Sequence, residues 1–326
     1  MAISFEAASK NRQSDEKIRE LTARAFPGRE AVQIEELNAG MCNALYKIAL
    51  DDGKKTVLKI SAPGLDFKCT NESWLMESET EAMRLIEEGA PGVKAPKLLY
   101  YDDSLTACTG KYFFMEYVEG DLMAEQMKSL PAETVEQLHR EIGRYVNEIG
   151  AITHEKFGIV NSGNEFDTLF GLTEHLVHNV LGDLEKNDAV LGVPYETVRE
   201  QLQADRVHFD AYDGPARLVH FDIWENNIIL NDGEIAGLLD WERSLWGEVL
   251  MEERFRDYNN IPTFFEGFGR SEFTESEKKR MLWYNIWMDF ACMNERYFRM
   301  YEPERAESNT IKWRNRFLAH WEKLTA

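Results

Sequence analysis

The chain has 326 residues, 44% of them hydrophobic, with 37 basic side chains against 58 acidic ones and a formal net charge of −21. That balance argues against a general nucleic-acid binder, which needs a basic face to meet phosphates; it suits attraction of a cationic small molecule and, equally, plain solubility in the cytosol. No run of about 18 apolar residues occurs, so no membrane span is expected.

The length allows one large bilobal unit or two domains, each with its own core. The N-terminal stretch lacks the apolar core of a secretory signal. Cys42, Cys69, Cys108 and Cys292 form no C-x-x-C pair and have no histidine at a zinc-like spacing. They read as free thiols in a reducing, cytoplasmic setting.

Ser14-Asp15-Glu16 starts a helix with acids in its first turn, Ile18, Leu21, Ala25 and Phe26 give it an apolar face, and Pro27-Gly28 stops it. A strand over 32–37 and another over 44–50 flank Asn38-Ala39-Gly40-Met41-Cys42-Asn43. Strand, small-residue turn, strand is the shape of a phosphate-covering loop, and equally that of an ordinary hairpin. Residues 56–60 form a strand in which Lys59 stands among apolar neighbours. A lysine in such a place is costly unless it is paired. The helix over 72–88 offers Glu77, Glu79 and Glu81, and Leu75, Glu79, Met83 and Ile86 share one stripe, which turns Glu79 inward.

Strands follow over 96–101 and from Tyr112 to about Val118, the second ending at Gly120. From there the chain is mostly helical, over 122–128, 132–151, 166–184 and 195–212. His175 and His178 lie three apart without an accompanying carboxylate motif, and read as structural. Two apolar runs, 226–230 and 235–239, then flank Asn231-Asp232-Gly233, the pattern of a β-hairpin. Such a hairpin folds Asn227 and Asp240 toward one end, beside Asp222. Their oxygens suit a hard cation such as Mg²⁺. Helices over 281–293 and 310–324 carry aromatic stripes; Trp283 and Phe317 read as core, while Trp287 and Asp289, with Glu225 of the loop, are candidates for substrate contact.

The loop His220-Phe221-Asp222-Ile223-Trp224-Glu225-Asn226-Asn227, followed by Leu239-Asp240-Trp241-Glu242, resembles the H-x-D-x-x-x-x-N loop and metal-binding Asp of the aminoglycoside phosphotransferase and choline kinase family, relatives of the protein kinases. The family's middle residue in H-x-D is usually Gly, where Phe221 stands here. Glu248 and Val249 replace the Asp and Pro of its later G-D-P turn. The resemblance implies an α+β, protein-kinase-like bilobal fold, with a β-rich N-lobe over 1–118 and a mainly helical C-lobe over 119–326. ATP or GTP would sit between the lobes. Lys59, paired with Glu79, would hold its phosphates, under a turn containing Gly40 and Asn43. The Glu116 carbonyl and Val118 N–H would meet the adenine, with Val57, Ile229 and Leu239 around the purine. Asn227 and Asp240 would hold Mg²⁺. Asp222 would be the catalytic residue, aligning the hydroxyl more than acting as a strong base, as expected of an Asp near its ordinary pKa.

The implied activity is phosphorylation of a hydroxyl on a small, amine-bearing molecule. An antibiotic is preferred, aminoglycoside or amicoumacin-type, with resistance as the result. The alternatives are a metabolic kinase for choline, homoserine or fructosamines, and a nucleotide-binding pseudokinase. A protein kinase is disfavoured, because no arginine stands in H-x-D and the short segment from Asp240 to Trp246 leaves no room for an activation loop.

Overall fold

The computed structural model describes residues 10–37, 43–62, 69–70, 74–298 and 302–326. Helix α1 (Asp15–Ala25) begins where Ser14 caps it, its side chain accepting from the Lys17 N–H. A five-stranded antiparallel sheet follows: β1 (Ala31–Leu37), β2 (Ala44–Leu50), β3 (Lys55–Ile60), β4 (Leu98–Asp102) and β5 (Tyr112–Glu116), in the order β1-β2-β3-β5-β4. Between β3 and β4 runs helix α2 (Leu75–Gly89).

Strand alternation sorts the two faces of this sheet. Leu58, Ile60, Tyr112 and Phe114 join Ile18 and Leu21 of α1 in one apolar cluster. Val57, Phe113 and Met115 point the other way, into a core shared with Met76, Met83 and Ile86 of α2. Lys59 has the parity of Val57, so the same rule sends its side chain toward α2.

Beyond β5 the chain leaves the sheet through residues 117–120. Strand β6 (Asp121–Leu122) pairs with β11 (Ile228–Asn231), which pairs with β12 (Glu234–Leu238). The β11–β12 turn has positive φ at both Asp232 (52°) and Gly233 (79°). Left-handed backbone at both central residues matches the twist of a tight hairpin. The first strand starts two residues later than the apolar run suggests, because residues Glu225–Asn227 wind into a 3-10 turn.

Helices α3 (Met123–Gln126), α4 (Ala132–Ile149), α5 (Leu169–Lys186), α6 (Tyr195–Ala204), α7 (Arg206–Asp210), α8 (Pro262–Phe268), α9 (Glu275–Phe298) and α10 (Pro303–Thr325) build the rest. The helix expected over 195–212 is broken at Asp205, whose carboxylate accepts from Trp283 Nε1 at 2.9 Å. The helix expected from 166 starts at Leu169. Thr168 caps it, and residues Glu165–Phe166 join a second sheet.

That sheet is made of short strands β7 (Thr153–His154), β8 (Phe157–Ile159), β9 (Glu165–Phe166), β10 (Ala216–Val219) and β13 (Leu245–Gly247), in the order β7-β10-β13-β8-β9. It matters for the site, because β10 delivers the chain to His220 and β13 carries it away after Glu242. Trp283 and Phe317 are fully buried, and Phe290 and Phe317 of the packed α9–α10 pair lie 4.7 Å apart. Among the described residues no helix is long and apolar enough to cross a membrane.

Candidate active site

Lys59 is 5% exposed and Glu79 1%. The Lys59 Nζ donates to Glu79 at 2.6 Å, to Asp240 at 2.8 Å and to Glu242 at 3.0 Å. The other two acids of α2 face elsewhere: Glu77 pairs with Lys111, and Glu81 with Arg84 at 3.3 Å. Asn43 donates to Glu242 at 3.1 Å, which brings the start of β2 to the same point. Gly40 lies outside the described residues.

Three carboxylates around one ammonium leave an excess of negative charge. Burial works against the Lys59 ammonium, but Asp240, Glu242 and Glu79 overcome it and hold the group charged, well above the usual lysine range. Burial drives the Glu79 carboxyl up to about 8 against the pull of Lys59. Glu242 rises too, through burial and the neighbouring Asp240. Burial also opposes the Asp240 carboxylate, yet contact with Lys59 keeps it below its ordinary range. Among the described residues, Glu79, Asp240 and Glu242 are the three metal-capable side chains whose ligand atoms lie within 4.8 Å of one another. An all-oxygen set of this kind fits a hard divalent cation.

Glu242 was not foreseen as part of this cluster. Asp240 takes a left-handed backbone (φ 64°), and residues Trp241–Arg243 form a 3-10 turn, which returns Glu242 to the lysine. The alternation Asp-Trp-Glu was the available signal: two acids flank one residue, Trp241, that is fully buried.

The loop after β10 is held from below. His220 is fully buried; its Nδ1 accepts from the Asp222 N–H at 3.2 Å, so Nε2 carries the proton and donates to the Leu239 carbonyl at 2.9 Å. Burial lowers its pKa, consistent with a neutral ring that shapes the loop. Phe221 has φ 72°, a left-handed backbone that a side chain resists. Glu252, 2% exposed, clamps it there by accepting from the N–H groups of Phe221 and Ile223, both at 2.9 Å.

Asp222 projects from this clamped turn. Asn227 donates to its backbone carbonyl at 2.9 Å and to its carboxylate at 3.2 Å, which leaves the Asn227 side-chain oxygen for another partner. The Leu239 N–H donates to the Asn227 carbonyl at 2.7 Å, joining the loop to the end of β12 beside Asp240. Burial pushes the Asp222 carboxyl well above its ordinary range, with Arg243 pulling the other way.

The structure does not offer all the proposed substrate residues to a ligand. Glu225 accepts from Arg254 at 2.7 Å and belongs to the support of the loop. Asp289, 1% exposed, is bonded to His320 at 2.5 Å and lies 3.4 Å from Arg316. Both acids are taken by bases far along the chain. Trp287 packs on Phe221, ring centroids 4.6 Å apart, and lines a cavity beside the loop.

Of the purine residues, Val57 and Ile229 are buried and Leu239 is half-buried next to Asp240. Glu116 closes β5 opposite Thr56. Val118 packs against Gly237, the partner of Ile229 on β12. These residues therefore come from the first sheet and from the three-stranded β6–β11–β12 sheet, on either side of the connection at 117–120.

A family model described as the phosphotransferase enzyme family matches residues 33–252, more than half of the chain. The chain belongs to the phosphotransferase enzyme family. The match takes in Lys59, Glu79, the clamped loop, Asp240 and Glu252. The family is one of phosphotransferases.

Solved structures share the fold. A thermostable mutant of aminoglycoside phosphotransferase APH(4)-Ia, in ternary complex with AMP-PNP and hygromycin B, aligns over 93% of this chain and 97% of its own (TM-score 0.66, 13% identity). The streptomycin–ATP complex of APH(2")-IIa aligns over 94% and 99% (TM-score 0.61, 14% identity). A candidate fructosamine-3-kinase from Thermobifida fusca aligns over 92% and 99% (TM-score 0.66, 14% identity). The phosphotransferase family chain thus has the α+β, protein-kinase-like bilobal fold. It also matches 136 residues of Altered inheritance of mitochondria protein 9 from Debaryomyces hansenii at 28% identity, covering 38% of this chain and 21% of that relative, about a fifth of its length.

Proposed function

We propose that the protein transfers the γ-phosphoryl group of ATP or GTP to a hydroxyl of a small acceptor in the cytoplasm. The observation that carries this is the ring of Glu79, Asp240 and Glu242 around the Lys59 Nζ, beside the loop that presents Asp222. The fold-sharing proteins bound to AMP-PNP or ATP support the nucleotide.

In the reaction the acceptor oxygen bonds to the γ-phosphorus, the bond from that phosphorus to the β–γ bridging oxygen breaks, and the acceptor proton passes to Asp222. Asp222 mainly aligns the hydroxyl, and the proton moves late in the transfer. Lys59, anchored by Glu79, turns from Asp240 and Glu242 toward the phosphates. Those two carboxylates, with the Asn227 oxygen, would then hold Mg²⁺. Bound there, Mg²⁺ supplies charge neutralisation on the phosphates. Val57, Ile229 and Leu239 would pack on the purine, with the Glu116 carbonyl and Val118 N–H as its hydrogen-bond partners.

For the acceptor we favour an amine-bearing antibiotic. The net charge of −21 attracts cations, and two of the fold-sharing proteins hold hygromycin B or streptomycin. A metabolic acceptor is the second reading, favoured by the fructosamine-3-kinase likeness. A coupled assay of ADP release from Mg·ATP and GDP release from Mg·GTP, against aminoglycosides, amicoumacin-type antibiotics, choline, homoserine and fructosamines, tests both. Stimulation by an antibiotic, lost in Asp222→Asn, supports the first; stimulation by a metabolite alone supports the second. Nucleotide binding without turnover on any acceptor would sink the enzymatic reading in favour of a pseudokinase.

A further inference from the structure

The segment Glu252-Glu253-Arg254-Phe255-Arg256 winds through a short 3-10 turn over Glu253–Phe255. Every second side chain of it reaches the catalytic loop. Glu252 accepts from the N–H groups of Phe221 and Ile223. Arg254 Nη1 donates to Glu225 Oε1 at 2.7 Å. The Arg256 guanidinium lies over the Phe221 ring, 5.7 Å from its centroid, while its Nη2 donates to the Met251 carbonyl at 2.6 Å. Glu252 and Arg256 thus brace the loop on either side of Asp222. Arg254 reaches further along, to the part that leads into Asn227.

Arg254 is a costly residue in its place. It is 1% exposed, and its Nε and Nη2 are buried with no hydrogen-bond partner among the described residues. A guanidinium taken out of water with donors left over is destabilising unless its remaining bond compensates. Here that bond is the one to Glu225, so the charge has a task there. Glu225 opens the 3-10 turn Glu225–Asn227. Of the three residues before Asn227, Trp224 and Asn226 are exposed and Glu225 is drawn inward. Asn227 is 7% exposed, and its side-chain nitrogen is spent on the carbonyl and carboxylate of Asp222. Its side-chain oxygen is the atom left for a cation, and the seating of the 3-10 turn decides where that oxygen stands.

We propose that Arg254 is a positioning residue for Asn227. Through Glu225 it fixes the turn that presents the Asn227 oxygen, and so it governs affinity for the metal–nucleotide complex while leaving affinity for the nucleotide alone nearly unchanged. This rests on the phosphotransfer reading above, in which Asn227 helps to hold Mg²⁺. Residues that touch no metal but orient one of its ligands commonly change metal affinity by about 10–100-fold.

The test uses the full chain and calorimetric titration with AMP-PNP, once in EDTA and once with saturating Mg²⁺, beside ADP release from Mg·ATP. Arg254→Met removes the guanidinium and keeps an unbranched stem. Arg254→Lys keeps a cation for Glu225, and Glu225→Gln withdraws the charge from the other side. Arg254→Met should weaken Mg·AMP-PNP binding about tenfold or more and binding in EDTA less than about twofold. Arg254→Lys should recover most of that loss, and Glu225→Gln should show the same selective loss to a smaller extent. If Arg254→Met fails to fold, Glu225→Gln and Arg254→Lys decide between them. Equal weakening with and without Mg²⁺, or no weakening in either, makes Arg254 a structural residue only and overturns the proposal while the phosphotransfer reading stands. Selective loss in the variants, with no ADP release by the unsubstituted protein on any acceptor, keeps the role of Arg254 and overturns the phosphotransfer reading. An unsubstituted protein that binds AMP-PNP no more tightly with Mg²⁺ than in EDTA overturns the proposal at its base, since Asn227 then holds no metal.

Discussion

At the scale of single residues, the site depends on charges that the fold makes mutually dependent. Lys59→Met removes the ammonium and leaves three carboxylates facing one another in a poorly hydrated space. Loss of one partner of a buried ion pair typically costs about 3–5 kcal/mol. Phosphotransfer should fall by about 10²-fold or more with it, since the lysine also serves the phosphates. Urea midpoints and ADP release on the same preparation check both, and a variant of unchanged stability would contradict this geometry. Glu252→Gln tests the clamp under the loop. An amide presents one oxygen where the carboxylate presents two, so one of the Phe221 and Ile223 N–H groups loses its partner. The expected cost is about 1–3 kcal/mol, with kcat lowered more than the KM for nucleotide is raised, because Asp222 sits between the two clamped amides. The lysine and its partner were legible because strand parity and one helical stripe both point inward. Glu252 and the arginine that claims Glu225 were not, because each acts from a place that only the folded chain brings near, and Glu242 was missed although it stands two residues after Asp240.

At the scale of elements, long apolar patterns were readable and short connections were not. The strands of the first sheet, helix α4 and the hairpin announce themselves by period and turn chemistry. The second sheet is built from strands of two to four residues, too short to show alternation. Yet it is what aims the loop, since β10 and β13 bracket His220 to Ser244 as neighbours in register. The packing of α8 on α4 is another feature with no local signal. A Cβ built on Gly267 would stand 1.9 Å from the Arg140 carbonyl oxygen, and one on Gly143 2.3 Å from that of Phe264. Backbone meets backbone there, so no side chain can move aside. Gly267→Ala should force the two helices apart and destabilise the protein by about 1–3 kcal/mol, a shift that differential scanning calorimetry resolves. An alanine tolerated at no cost would show that the helices do not lie this close in solution.

At the scale of the whole molecule, the last helix is fastened by a small polar cluster whose charge depends on pH. His320 of α10 bonds to Asp289 of α9 at 2.5 Å and to Asp257 at 2.9 Å, and Arg316 reaches Asp257 at 2.6 Å. Burial alone would lower the His320 pKa, but its bonds to the two carboxylates overcome this and raise it. A raised histidine pKa means the folded state holds the proton more tightly than the unfolded chain. Its contribution is therefore complete below the unfolded value of about 6.5 and is lost as pH rises through the folded value. Burial raises Asp289 as well, which presses in the same direction, since its ionised form is the less favoured one in the fold. The bond from His320 and the charge of Arg316 instead hold Asp257 far below its ordinary range, so its contribution is present above about pH 4 and disappears in acid. The cluster thus fastens α10 best in mildly acidic solution, between the loss of Asp257 on one side and of His320 on the other. His320→Gln keeps the size but not the titration. The stability lost in this variant should be largest near pH 5.5 and shrink steadily toward pH 9, measured as the difference in urea unfolding free energy from the unsubstituted protein. A difference that stays flat across that range would mean His320 is neutral in the fold, and that α10 is held by its apolar face alone.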